Sequence, residues 1–385
     1  MATRVVSRLR QFPAVALLGP RQAGKTALAK RIARAANGTR LDLEDPGDRA
    51  KLGDGGAYLR SLRGRLVVLD EVQRVPELFE LLRVLMDEQV HEGEGAGQFL
   101  LLGSASTDLL RQSGESLAGR VAYLELAPFD LRETGQDQIT RLWIRGGFPP
   151  SFLAASEPES VVWRDEFVRA YVERDLRELG ARVSTETLRR LLTMIAHAQG
   201  GLWNAATFAR ALEVDVRTVT RTLDLLCGLL LVRRLRPFYA NVRKRLTRAP
   251  RVYLRDSGIV HSLLGLDDED NVLGHSVCGG SWEGFAIETL IRAAPDRARV
   301  GFYRTATGVE MDLLLDLPGQ GLWAIEIKRS LVPRTRKGLR VALDDLNPRR
   351  AFIAYSGTER YSLGGGLEAV PLADLAAELA ALDSR

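Results

Sequence analysis

The chain has 385 residues, 45% hydrophobic and 27% charged, which predicts two or three cores rather than one. Its longest apolar run, LLCGLLLV at 225–232, has eight residues, far short of the roughly 20 that span a bilayer, so no membrane role is expected. Two cysteines, Cys227 and Cys278, exclude a disulfide framework and a Cys-rich metal site, while a net charge of +5 permits a nucleic-acid partner without requiring one.

The first 19 residues have too short an apolar stretch, split from the basic part by Pro13, to read as a signal peptide. A cytoplasmic location is expected. Ala14 to Leu18 reads as a strand, and it feeds Gly19-Pro20-Arg21-Gln22-Ala23-Gly24-Lys25-Thr26, a full match to G-x-x-x-x-G-K-[ST]. The glycines let the backbone turn its N–H groups onto phosphates. Lys25 reaches the β- and γ-phosphates, the Thr26 hydroxyl ligates Mg²⁺, and the helix that begins near Lys25 points its positive end at the same anions. Gly19 to Thr26 together with Ala27 are therefore the expected ATP-binding residues.

The next apolar run, Leu66 to Leu69, is continuous, as in a parallel strand covered on both faces. It ends in Asp70-Glu71, with Asp70 45 positions after Lys25. Asp70 is expected to hold Mg²⁺ and Glu71 to polarise the attacking water. A third strand is predicted from Gln98, ending at Gly103-Ser104 and running into Ala105-Ser106. Leu109 to Glu133 follows, with the wording LLRQSGESLAGRVAYLELAPFDLRE.

Taken with LDEVQ and GSAS, this segment resembles a family of prokaryotic AAA+-like ATPases with a DUF4143-type C-terminal region. Gly146 to Pro149 (GGFP) and Tyr171 to Leu176 (YVERDL) resemble the same family. The resemblance implies a polar residue at the end of the third strand, beside the γ-phosphate: Ser104, with Ser106 as the alternative. It also implies an arginine finger acting on ATP held by a neighbouring subunit, Arg120 or else Arg111, and hence a homo-oligomer.

From about 129 to 200 the pattern is helical. Val161, Phe167, Val168, Tyr171, Val172 and Leu176 recur mostly at spacings of three or four, consistent with a lid of the AAA+ type. Arg174 reads either as a phosphate contact or as a partner of Asp175 or Glu178. Trp203 to Phe238 reads as helix, turn, helix and strand, a winged helix. Arg217 and Arg221 share the exposed face of its second helix, with Thr218 and Thr220 beside them. Arg233, Arg234 and Arg236 and the cluster at 241–248 (NVRKRLTR) are expected phosphate contacts if DNA binds.

The region from about 246 is α/β again. Glu283 lies near the start of a predicted helix, Asp312 ends a strand (GVEMD), and Glu326-Ile-Lys328 lies 14 residues further on. This order matches PD-(D/E)xK nucleases. Glu326 and Lys328, two apart on a strand, share one face, with Glu310 expected beside Asp312. In an active nuclease Glu283, Asp312 and Glu326 would bind Mg²⁺, and Lys328 would orient the attacking water. Basic residues from Arg329 to Arg340 follow the motif.

The expected architecture is α/β: a P-loop (AAA+-like) ATPase core at 1–128, a helical lid at 129–200, a winged helix at 201–245 and a restriction-endonuclease-like domain at 246–385. The expected function is an ATPase that uses ATP and Mg²⁺ to control a DNA-binding, DNA-cleaving module. The alternative is a regulatory or scaffold protein whose nuclease-like domain binds without cutting.

Overall fold

A computed structural model describes residues 1–54, 56–91, 95–104, 117–176, 181, 183–238 and 246–382. The chain divides into two compact units: Met1–Pro128 with Gly228–Leu230, and Phe129–Cys227 with Leu231–Arg385. The second unit spans the segments expected at 129–200, 201–245 and 246–385, except for Gly228–Leu230.

The first unit is built on five strands: β1 (Ala14–Gly19), β2 (Thr39–Asp42), β3 (Val67–Asp70), β4 (Phe99–Ser104) and β5 (Val121–Glu125). They lie in the order β2-β3-β4-β1-β5, with every neighbouring pair parallel. Alternate residues of the apolar runs go to opposite faces, as the two-residue period of a strand requires. Ala14, Ala16, Leu18, Val67, Leu69, Phe99 and Leu101 enter one core, closed by Leu82, Leu85 and Met86 of α3 (Leu78–His91). Val15, Leu17, Val68, Leu100 and Leu102 enter the other, with Val5 and Leu9 of α1 (Ala2–Leu9) and Ala29 and Ile32 of α2 (Lys25–Ala35). Each fully buried leucine contributes about 2 kcal/mol. β2 was not predicted: only Leu41 of its four residues is buried, so its apolar signal is a single residue on an edge strand.

After short helices at Leu131–Thr134, Ile139–Arg145 and Pro149–Phe152, the second unit carries helices α4 (Glu157–Ala170), α5 (Thr185–His197), α6 (Ala205–Leu212) and α7 (Val216–Gly228). α4 runs into a π turn at Tyr171–Asp175 that carries the YVERDL motif. Between α6 and α7, Glu213 takes a left-handed backbone, φ 55°, and Asp215 caps α7 by accepting from the Thr218 amide at 2.8 Å. β6 (Val232–Leu235) pairs antiparallel with β7 (Arg251–Leu254). After α8 (Ser257–Leu263) and α9 (Cys278–Ala293) comes a six-stranded mixed sheet: β8 (Arg299–Arg304), β9 (Glu310–Leu317), β10 (Gly321–Lys328), β11 (Arg350–Tyr355), β12 (Tyr361–Gly364) and β13 (Leu367–Pro371). Its order is β12-β13-β11-β10-β9-β8. α10 (Lys337–Leu346) and a closing helix, α11 (Leu372–Leu382), complete the unit.

A buried polar knot ties early and late parts of this unit together. The Trp143 indole donates to Ser281 Oγ at 3.0 Å, and His261 Nε2 lies 2.7 Å from the same hydroxyl while Nδ1 meets Ile144 O at 2.9 Å. Trp143 packs edge-on against Trp282, their ring centres 5.5 Å apart. His261 and Ser281 are wholly buried, so they serve the core rather than nucleophilic chemistry. Burial pushes the His261 imidazole down to about 4. Among the described residues no helix is long and apolar enough to cross a membrane.

Candidate nucleotide site and a carboxylate cluster

The crevice at the carboxyl ends of the parallel strands of the first unit collects the residues that the phosphate-loop motif predicts. β4 lies between β1 and β3, so the loop after Gly19 and the acids after Leu69 flank the end of β4. The Ser104 backbone is in register with Gly19. Gly19 could not carry a side chain, because a Cβ there would lie 2.1 Å from the Leu126 carbonyl oxygen. Gly24 caps α2 at φ 98°, a left-handed conformation that favours glycine.

Lys25 is buried, 5% exposed. Its amine donates to the carbonyls of Gly19 and Pro20, both at 2.9 Å. Burial lowers its pKa to about 8, against the opposing pull of Glu71 and Asp70. The Thr26 hydroxyl donates to Asp70 Oδ2 at 2.9 Å. Asp70 is 2% exposed, and its Oδ1 is buried without a partner. A hydroxyl beside a carboxylate with an unsatisfied buried oxygen is a donor set that fits Mg²⁺ or its bound water. Glu71 is held in a left-handed turn, φ 56°, and accepts from the Gln73 amide. Burial first, and then Asp70, raises its carboxyl pKa against Lys25 and Gln73.

Arg40 of β2 also reaches Asp70 Oδ2, through Nη2 at 2.8 Å and Nε at 3.3 Å, while bonding Asp42 Oδ2 at 2.8 Å. Arg120 sits at the other edge of the sheet. It precedes β5, whose Val121 is in register with Ala14 at the start of β1, so about 20 Å of strand separates it from the loop after β1. Its guanidinium forks onto Asp87 of α3 at 2.6 and 2.9 Å.

In the second unit, three carboxylates converge on one guanidinium. Arg251 Nη1 lies 3.0 Å from Glu283 Oε1 and 3.3 Å from Asp312 Oδ1, and Nη2 lies 2.8 Å from Glu310 Oε2. The Tyr253 hydroxyl donates to Glu283 Oε1 at 2.6 Å, and the Ile327 amide donates to Asp312 Oδ2 at 3.0 Å. Lys328 pairs with Glu326 Oε1, and Glu326 Oε2 is buried without a partner. Burial, followed by the Asp312 charge, raises the pKa of both Glu283 and Glu326. Burial opposes the charge on Arg251, but Tyr253, Glu283, Asp312 and Glu310 outweigh it and raise the guanidinium above its ordinary value. Among the described residues no group of three or more His, Cys, Asp or Glu is disposed to hold a metal ion. Of the expected metal ligands, Glu283 and Asp312 contact Arg251, and Glu326 pairs with Lys328.

Comparison with known proteins places these sites in a lineage. The chain matches the AAA domain over residues 11–135, the domain of unknown function DUF8612 over 136–270 and the domain of unknown function DUF4143 over 278–375. It is 43% identical over 371 residues to the uncharacterized proteins Rv2008c of Mycobacterium tuberculosis and Mb2031c of Mycobacterium bovis, covering 96% of this chain and 82% of each relative. The chain belongs to their family. It is an AAA-like ATPase with a DUF4143 C-terminal domain. Among solved structures, the Walker-type ATPase PABY2304 of Pyrococcus abyssi is a distant likeness: 16% identity, 68% of this chain, 94% of that chain and a TM-score of 0.48.

The AAA domain therefore holds Gly19–Thr26, Asp70, Glu71 and the Ser104 backbone at one crevice. Ser106 and Arg111 lie outside the described residues, as does Glu178, one of the two partners expected for Arg174. Further along, Arg217, Arg221 and Arg236 are exposed. Arg233 is tied to the buried Glu288, and Arg234 to the exposed Asp224. Thr218 and Thr220 bond within their own turn, to Asp215 and the Val216 carbonyl. Of the basic cluster at 241–248, residues 241–245 lie outside the described residues.

Sequence reading missed Arg40, Arg251, Tyr253 and Asp87. Arg251 left the clearest trace: a cation opening RVYL, a four-residue run that is buried throughout. A charge in such a run needs an acidic partner inside the fold.

Proposed function

We propose that this protein is a Mg²⁺-dependent ATPase whose nucleotide state controls what its C-terminal α/β unit binds, with DNA as the favoured ligand and the cytoplasm as its place of action. The observation that carries the ATPase half is the Thr26–Asp70 hydrogen bond beside buried Lys25 and half-buried Glu71. The two Lys25 amine bonds to loop carbonyls are available for exchange with phosphate oxygens. Gly24 and the start of α2 direct backbone N–H groups at the same anions. Bound Mg²⁺ would supply charge neutralisation on the phosphates. Thr26 and Asp70 would hold it, and Glu71 would orient the attacking water and accept its proton.

Arg120 is proposed as the finger residue. At its edge of the sheet it is remote from its own phosphate loop, so it serves a neighbouring subunit in a homo-oligomer. The exposed Arg217, Arg221 and Arg236 support a DNA-facing role for the helix–turn–helix segment. For the DUF4143 domain the ion pairs around Arg251 favour binding over cutting. ATP hydrolysis by the purified protein, compared with Lys25→Ala, tests the first half. Salt-dependent binding and cleavage of linear, branched and single-stranded DNA with Mg²⁺ or Mn²⁺, with and without ATP and beside Asp312→Ala and Glu326→Ala, tests the second. Loss of DNA cleavage in both variants would establish a nuclease; DNA retention without cleavage is the outcome expected here.

A further inference from the structure

The carboxylate cluster of the second unit lies where a nuclease of the PD-(D/E)xK pattern needs a divalent cation. Each carboxylate that such an ion would draw on already has at least one oxygen committed. Asp312 uses Oδ1 on Arg251 and Oδ2 on the Ile327 amide. Glu283 Oε1 accepts from both Arg251 and Tyr253. Glu310 is shared between Arg251 and Arg304, at 2.8 and 2.7 Å. The charges nearly balance: Glu283, Glu310, Asp312 and Glu326 face Arg251, Arg304 and Lys328.

Arg251 is not a surface side chain that has fallen inward. It is 4% exposed, and its guanidinium stacks over Phe302 at 5.0 Å. Its backbone is pinned in β7 opposite Leu235, with neighbouring amide bonds from Trp203 to Pro250 O at 2.8 Å and from Val252 to Gly201 O at 3.1 Å. A guanidinium stays charged at any pH a protein survives, and its planar fork serves several carboxylates at once. The remaining buried oxygen, Glu326 Oε2, is a single acceptor, fewer than a hard cation requires from its protein ligands in the absence of Asp312 and Glu283.

We propose that Arg251 is the resident cation of this cluster: it stands where a divalent ion would bind, the DUF4143 domain takes no metal there, and removing the guanidinium converts the cluster into a divalent-cation site. This inference is independent of the ATPase reading.

The test uses the full chain with Asp70→Asn, so that the nucleotide site does not compete, and reads bound Mn²⁺ by electron paramagnetic resonance without nucleotide. With Arg251 present, no Mn²⁺ uptake sensitive to Asp312→Ala is expected. Arg251→Ala should gain one bound Mn²⁺ that the protein with Arg251 lacks, and adding Asp312→Ala should abolish it. Tb³⁺ luminescence excited through Tyr253 should appear in the same variant. If Arg251→Ala does not fold, Arg251→Gln makes the same comparison. Asp312-dependent Mn²⁺ binding by protein that retains Arg251 would overturn the proposal. So would a folded Arg251 variant that binds none.

Discussion

Arg40 Nη2 and Asp70 Oδ2 lie 2.8 Å apart, and that oxygen also accepts the Thr26 hydroxyl. A cation from the edge strand thus neutralises the carboxylate proposed to hold Mg²⁺. Arg40 and the metal compete for one charge. Arg40→Gln should lower the Mg²⁺ concentration needed for half-maximal ATP turnover by about tenfold, the equivalent of one charge-assisted hydrogen bond. Arg40→Lys should fall between. Turnover measured across a Mg²⁺ series separates this from a positioning role, in which the maximal rate would drop and the Mg²⁺ requirement would stay.

Lys25 is costly to the nucleotide-free fold. Its pKa, lowered by burial to about 8, makes the charged form unfavourable by about 3 kcal/mol below pH 8. That penalty fades as pH rises from there towards the unfolded value near 10.4. Lys25→Met should therefore stabilise the protein at pH 7 by about 1–3 kcal/mol while abolishing ATP turnover. Denaturant melts beside a phosphate-release assay check both. Unchanged turnover would remove the phosphate-loop assignment.

Arg120→Ala should lower turnover by about a hundredfold or more and leave nucleotide affinity unchanged. Because the residue works on a neighbour, the rate per chain of the unaltered protein should rise with protein concentration until the oligomer is full. A rate independent of concentration, or an Arg120→Ala protein that turns over normally, would end this reading.

His261 gives the second unit an acid sensitivity with a defined window. Its folded pKa, held by burial at about 4, lies below the unfolded value near 6.5. The unfolded chain therefore takes up a proton that the folded chain refuses. Stability is full above pH 6.5 and falls by about 3 kcal/mol as pH drops to 4. His261→Gln should be less stable at pH 7 but flatter across that interval, as seen in urea melts at stepped pH.

The nucleotide site was legible because its parts are local in sequence. Gly19 to Thr26 is contiguous, and Asp70-Glu71 closes a continuous apolar strand. Arg40 was not legible, since it lies on a short strand whose sole buried residue is Leu41. In the second unit Glu283, Glu310, Asp312, Glu326 and Lys328 were anticipated as neighbours; the register of β9 and β10 brings the strand residues near, and Glu283 joins them from α9 through Arg251. What the motif could not supply was their counter-charge. Arg251 enters from β7, 61 positions before Asp312, and long-range pairing of that kind leaves no periodic trace. The helix–turn–helix segment shows the reverse. Its two helices form, the second ending at Gly228, yet Arg233 pairs with the buried Glu288, because a basic run does not reveal which of its charges meets an acid inside the fold.

The bond between Trp143 and Ser281 joins residues 138 positions apart. On the ribosome this imposes an order of events. The five-stranded sheet is complete once Glu125 is made, whereas Trp143 emerges and then waits roughly ten seconds for Ser281 at ordinary synthesis rates. During that interval its indole N–H lacks its final acceptor. The second unit is thus the part of the nascent chain that chaperones would hold, and a stop between Leu230 and α9 would release a finished ATPase core attached to an unfinished tail.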